Sequence, residues 1–192
     1  MRFAELRRLI RSDLWRHEGS AAFRAFWMHY WRTPGFRYTV WYRVHAYVRS
    51  QSWGKFGPRQ YVSWKLRRLG FAFGISVPPE TTIGPGFYIG HYGGIVVHPE
   101  VRIGTNFNLS HDVTIGLSSR GERFGCPTIG DNVYIGPGAK LFGRITIGDG
   151  AAVGANAVVT KDVPANTVAV GIPARALEGS KGSDGYISHT DY

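Results

Sequence analysis

Ile129-Gly130-Asp131-Asn132-Val133-Tyr134 is followed at once by Ile135-Gly136-Pro137-Gly138-Ala139-Lys140, and the two hexapeptides share one plan. Each opens on an aliphatic residue, passes glycine and two polar or turn residues, reaches a small or apolar residue, and adds one more. The beat continues at Ile147, Val153 and Val159, and upstream it runs through Ile83, Ile89, Ile95, Val101, Phe107 and Val113. A short fixed period is the signature of a solenoid. No helix-length segment intervenes, so the pattern cannot build a βαβ sheet. It predicts a mainly β chain of short parallel strands, one flat face per hexapeptide and three faces per coil of about 18 residues. Glycine and asparagine at the corners permit positive φ. Small residues at the fifth position (Ala139, Ala151, Ala157) let a corner close. Spacing does not fix the handedness of the coil.

Outward from the repeats, the chain of 192 residues reads as one domain with an appendage. One cysteine excludes an intrachain disulfide and points to a reducing compartment. No apolar run reaches the roughly 20 residues of a membrane-spanning helix, and the charged N-terminus lacks a signal peptide's apolar stretch. The expected location is cytoplasmic. The formal charge of +10 is unevenly spread: residues 1–70 hold 15 Lys/Arg against 3 Asp/Glu, and residues 71–192 hold 8 against 10. Residues 1–76 read as a basic, aromatic helical cap. Its first helix is capped by Ser12 or Asp13 and ends at Gly19, and others span about 21–31, 36–49 and 59–69. All six tryptophans lie in this segment. The cap is either a solvated, aromatic-packed unit or one that also rests on an anionic membrane surface. No nucleic-acid motif accompanies the charge.

Residues 77–177 form the expected β-helix domain. Its beat slips once, between Val113 and Ile129, where the step is one hexapeptide plus ten extra positions. The excess predicts a protruding loop at 117–127. Long loops on rigid scaffolds commonly carry function. Residues 178–192, polar and Gly/Ser-rich, are expected to form a flexible tail.

Three segments carry a resemblance. Ile89-Gly90-His91-Tyr92-Gly93-Gly94-Ile95-Val96-Val97 resembles the stretch bearing the catalytic histidine of serine acetyltransferases. Cys126-Pro127-Thr128-Ile129-Gly130-Asp131 follows a protruding loop as in that family, and Val170-Gly171-Ile172-Pro173-Ala174-Arg175 is similar to its closing segment. The likeness spans residues 77–177. It implies a left-handed parallel β-helix, a homotrimer with sites between subunits, and acetyl-CoA as co-substrate. Leu109-Ser110-His111-Asp112-Val113-Thr114-Ile115-Gly116 and Cys126-Pro127 look closer to O-acetyltransferases of colanic acid and capsule biosynthesis. Gly90 stands where the serine enzymes have aspartate, and Cys126 where they have a second histidine.

Acetyl transfer to a hydroxyl needs a base, donors for the oxyanion and a groove for pantetheine. His91, flanked by glycines, is the expected base; neutral imidazole titrates near working pH. Gly90 cannot orient it, which leaves Asp112, Glu100 or a backbone carbonyl. His111 lies one coil plus two residues on, roughly 8 Å away in backbone terms, and is the second catalytic candidate. His98 is a weaker one, and His17, His29 and His45 read as structural. Arg120 and Arg123 suit an anionic acceptor or a CoA phosphate, or are simply solvated. Cys126 is a substrate-site candidate or a filler at the loop base, and Asp112 a substrate-binding one. The resemblance places acetyl-CoA along Gly136, Ala139, Gly154 and Ala155, with Lys161 and Arg175 against its phosphates. No metal site is expected. The γ-type carbonic anhydrases that share this repeat need three zinc-binding histidines, two of them five residues apart; His91, His98 and His111 are spaced by seven and thirteen.

Three functions follow as expectations. The first is acetylation of a sugar hydroxyl on an exopolysaccharide or capsule precursor, small-molecule or lipid-linked, with the cap at the inner membrane face. The second is serine O-acetylation for cysteine synthesis. The third is a non-catalytic binding scaffold.

Overall fold

The computed structural model describes every residue except Phe56. Four α-helices come first: α1 (Phe3–Glu18), α2 (Phe23–Arg32), α3 (Pro34–Arg49) and α4 (Pro58–Phe73). None is long and apolar enough to cross a membrane. Short strands follow and stack into three sheets. The first face holds Ile75–Ser76, Ile95–Val97, Thr114–Gly116, Lys140–Phe142 and Val158–Val159, all parallel. The second holds Thr82–Ile83, Arg102–Ile103, Thr128–Ile129 and Thr146–Ile147. The third holds Tyr88–Ile89, Asn108–Leu109, Tyr134–Ile135, Ala152–Val153 and Val168–Gly171, and closes with the antiparallel strand Ala174–Leu177. Every residue on the six-residue beat is buried, none more than 7% exposed.

The beat slips twice before the last coils, not once. Val97 pairs with Ile115, three hexapeptides on. Ile83 pairs with Ile103 and Ile89 with Leu109, each two positions beyond three hexapeptides. Two extra residues therefore sit between Ile89 and Val97, in the His91-Tyr92-Gly93-Gly94 corner. They escape the period because the prism has two inward columns. One runs through Ile83, Ile89, Val97, Ile103, Leu109 and Ile115; the other lies two residues earlier, at Phe87, Ile95, Val101, Phe107 and Val113, and is equally buried. The apparent beat crosses from one column to the other at Ile95. Beyond the loop, Ile115 pairs with Leu141. The loop thus adds eight residues to that coil, where a count from Val113 suggests ten.

The cap is bolted to the first coil by buried polar groups. Ser12 and Asp13 do not cap a helix but lie inside α1. The Asp13 carboxylate accepts from Arg43 Nε (2.9 Å) and Nη2 (3.1 Å) and from the Phe87 amide (2.8 Å). Arg43 also donates to the carbonyls of Ile83 (2.7 Å) and Gly84 (2.6 Å). Arg16 reaches Gly86 O and Asn108 Oδ1, and Ser12 Oγ accepts from the Gly86 amide. These contacts satisfy backbone groups that an uncovered terminal coil leaves open. They also explain two of the cap's arginines without any external anion. α4 runs past Gly70, which presses against Ile75 O, and ends at Gly74 in the left-handed region.

Residues 178–192 are not a free tail. Tyr186 stacks on Tyr134 at 4.5 Å, Ser183 bonds to Gly150 and Asn132, and Arg16 donates to Ser188 O. Trp15 Nε1 donates to Asp191, and the Tyr192 hydroxyl to Asn106 Oδ1. The composition is polar, but Tyr186 finds a flat ring partner on the third face and Tyr192 an acceptor at Asn106.

His17 is packed between Tyr88 (4.6 Å), His29 (5.0 Å) and Phe36 (5.5 Å), with part of its surface still open. Burial first, then His29 and Arg16, push it down to about 3. The unfolded chain binds a proton at this histidine near pH 6.5 and the native state does not. Stability therefore falls as pH drops below about 6.5, by at most ~1.4 kcal/mol per pH unit from this residue. Chemical denaturation at pH 7.5 and pH 5 is expected to differ by about 2 kcal/mol on this account, and by clearly less in His17→Phe. An unchanged pH slope in that variant would refute the assignment.

Candidate active site

The corners of the prism form columns along its edges. One edge joins the third face to the first and carries residues 90–94, 110–113, 136–139 and 154–157. His91 and His111 meet there, exposed, with ring centroids 5.9 Å apart and planes at 90°. The register explains it: Ile89 pairs with Leu109, so the residues two further on stand one coil apart. The contact is more direct than the backbone spacing implies. Asp112 sits beside them with φ of 55°, and its amide donates to Gly93 O.

Of the acceptors expected to orient His91, neither carboxylate, Asp112 nor Glu100, bonds to it within the chain, and no backbone carbonyl does so among the described residues. The Asp112 carboxylate and carbonyl accept from Lys140 Nζ at 3.3 and 2.5 Å. Glu100 lies on another edge. Gly90 has a local cause: a Cβ there would come within 2.9 Å of the Tyr88 ring, which is held beneath the cap against His17. Packing against the helical cap has taken the space an aspartate at position 90 would use. Lys140 was not expected at the site. Its place follows from the pairing of Lys140 with Thr114, which spans the loop and is invisible to a local motif.

The expected acetyl-CoA residues divide. Gly136, Ala139, Gly154 and Ala155 lie on the same edge, below the histidines. Ala155 is exposed, while Gly154 is half-buried with its amide on Ala169 O and its carbonyl accepting from the Ala157 amide. Ala139 is fully buried and fills the interior, and Gly136 is buried with its amide on Val153 O; neither side chain position is open to a ligand. Arg175 is exposed and pairs with Val170, which packs against Gly154.

The remaining candidates occupy a different edge, between the first and second faces. The 117–127 loop leaves this edge, pinned by mutual backbone bonds between Ser118 and Gly125. Arg123 pairs with Asp162 at 3.2 Å and so clamps the loop, while Arg120 is exposed near its tip. Lys161 lies here too. Cys126 contacts His98 Nδ1 at 3.1 Å, and burial followed by Glu100 pushes the thiol up. Within one chain, the loop residues and His91 are therefore not brought together.

The profile for bacterial transferase hexapeptide (six repeats) matches residues 126–161. The serine acetyltransferase of Mycobacterium tuberculosis is 40% identical over 114 residues, 58% of this chain and 49% of that protein. The structure of soybean serine acetyltransferase complexed with serine is 34% identical, with a TM-score of 0.74, over 91% of this chain and 70% of the soybean chain. The chain belongs to the hexapeptide-repeat transferase family. A Neisseria gonorrhoeae serine acetyltransferase structure is 27% identical at a TM-score of 0.74, covering 91% of this chain and 65% of that one. The fold of this hexapeptide-repeat transferase is accordingly the left-handed parallel β-helix behind a small helical region. It spans about half the length of the curated relatives it matches. The expectation of a closest likeness to colanic acid and capsule enzymes is corrected: these relatives and structures are serine acetyltransferases. The motifs that suggested otherwise, around His111 and at Cys126, are local. The polysaccharide reading of this hexapeptide-repeat transferase falls with that expectation.

Proposed function

We propose that the chain is an acetyl-CoA-dependent serine O-acetyltransferase with His91 as general base. The observation that carries this is the exposed His91–His111 pair on one solenoid edge, in a chain 34% identical to an enzyme whose structure holds serine. His91 takes the hydroxyl proton and the attacking oxygen adds to the thioester carbon. Collapse of the tetrahedral adduct releases CoA thiol and leaves the ester. The exposed corner at Ala155, beside half-buried Gly154, receives the pantetheine arm, and Arg175 a phosphate. A homotrimer completes the site by carrying the loop of one protomer to the His91 edge of the next. CoA release with L-serine decides the reading. Turnover is expected in the ordinary enzyme range of roughly 1–10³ s⁻¹; acetyl-CoA consumption that L-serine does not stimulate would sink it.

The location proposed with this reading is cytoplasmic, with the cap resting on an anionic bilayer. Phe23, Trp27 and Trp31 recur at i, i+4 and i+8 on α2, and all are exposed. From Trp27 a continuous aromatic band runs to Tyr30 (5.8 Å), through the Trp41–Tyr30 hydrogen bond, to Tyr61 (6.1 Å) and Trp64 (6.0 Å). Arg37 lies over Tyr30 and Trp31, Lys65 over Trp41, and Arg68 over Trp64. Amphipathic rings with cationic neighbours match the headgroup region of acidic lipid. Co-sedimentation with phosphatidylserine-containing vesicles is expected, and its loss in Trp31→Ala/Trp64→Ala. Equal partition onto neutral vesicles would refute it, and self-association abolished by the same variant would assign the band to a second copy.

A further inference from the structure

His98, Glu100 and Cys126 form a cluster on the loop edge that the acetyl-transfer chemistry does not use. One donor atom from each residue lies within 4.8 Å of the other two, and Cys126 Sγ is 3.1 Å from His98 Nδ1. The three come from adjacent coils. His98 and Glu100 turn the corner after Ile95–Val97; Cys126 ends the protruding loop just before Thr128–Ile129. Both anchor points are rigid. The His98 amide donates to Ile115 O at 2.8 Å, its carbonyl accepts from the Val101 amide at 3.1 Å, and the Thr128 amide donates to Ile145 O at 2.9 Å.

The donors are one sulfur, one imidazole nitrogen and one carboxylate oxygen. A four-coordinate zinc ion holds such atoms at about 2.0–2.3 Å, which sets them roughly 3.3–3.8 Å from one another. The cluster is within a side-chain rotation of that spacing. A sulfur donor disfavours magnesium and calcium, and a mixed N/O/S set suits zinc. His98 and Cys126 are half-buried while Glu100 is exposed, so an ion has a way in. The spacing of histidines alone concealed this set, because only one member is a histidine.

We propose that His98, Glu100 and Cys126 bind a zinc-type divalent cation, with one coordination position left to water. Binding exchanges the Cys126 S–H bond for a sulfur–metal bond and releases that proton to solvent; no electron is transferred. The ion would tie the base of the 117–127 loop to the preceding coil and so fix how the loop leaves the solenoid. It does not rest on the serine reading, since none of the three residues lies on the His91 edge of its own chain; in the proposed homotrimer the loop it anchors faces the His91 edge of the next protomer.

Titration of the full chain with Co²⁺ tests it. A thiolate-to-cobalt charge-transfer band is expected to saturate at one ion per chain and to be abolished by Zn²⁺. Cys126→Ser should remove the band. His98→Ala and Glu100→Gln should each weaken binding by at least about 10-fold, while His91→Ala should leave it unchanged. Glu100 is exposed, so its substitution does not threaten folding, and circular dichroism checks the other variants. No band, or a band of equal affinity in both His98→Ala and Glu100→Gln, would overturn the proposal; the latter marks a lone thiolate.

Discussion

His91→Ala is expected to lower kcat/KM for acetyl transfer to L-serine by at least ~10²-fold, about 2.7 kcal/mol of transition-state stabilisation. The reason is positional. His91 stands exposed on the edge where the first coil carries two extra residues, and Gly93, two positions on, has open space where a side chain would stand, which lets an acceptor approach. A hydroxyl is a poor nucleophile until its proton leaves, and the described residues at this corner offer only His111 as another imidazole. His111→Ala should cost less, because His111 touches His91 edge to face and shares the same solvent. The KM for acetyl-CoA should hardly move. Gly154 and Ala155 lie three coil steps from His91, roughly 14 Å along the prism. Steady-state kinetics with both substrates varied would separate these effects. Activity intact in His91→Ala would remove the base from the mechanism, and a chain with no activity to lose would favour the scaffold reading.

The second large effect concerns folding. Asp13→Ala is expected to destabilise the chain by about 3–5 kcal/mol, because it leaves the Arg43 guanidinium buried without its counter-charge. Both side chains are almost fully sealed, at 1% and 3% exposure. The substitution also strips the Phe87 amide of its acceptor. For a chain of this size the melting temperature should fall by roughly 6–20 °C. Adding Arg43→Leu should recover part of the loss, since the orphaned charge goes with it. A fall below about 1 kcal/mol in the single variant would mean that water reaches Arg43 and that the clasp contributes little.

The solenoid was legible because its interior accepts one kind of residue at each turn. Ile135, Leu141, Ile147 and Val153 cannot be polar without opening the prism, so the period survives in the sequence. The two-residue slip at His91 was illegible for the same reason. Ile95 and Val97 are both inward and both aliphatic, so moving between columns leaves the beat intact. His91 and His111 could be found because glycines and coil spacing mark them. Lys140 could not, because its approach to Asp112 depends on how many residues the loop adds. In the cap, Ser12 and Asp13 are types that favour helix starts, yet partners far along the chain, the Gly86 amide for Ser12 and Arg43 of α3 for Asp13, overrode that preference. Gly90 showed the loss of an aspartate, but only the Tyr88 ring beneath it shows what filled the space.

The segment from Ser183 to Tyr192 changes how the whole molecule holds together. A bare solenoid is a linear stack in which each rung feels only its neighbours, so damage at one end need not be communicated to the other. Here the chain leaves the last rungs near Gly150, runs back along the outside, and ends against Asn106 beside Trp15. The stack is thereby closed into a loop of contacts. Peeling a terminal rung requires releasing the opposite end as well, and the third face, already occupied by its own chain, leaves the other two for any neighbour.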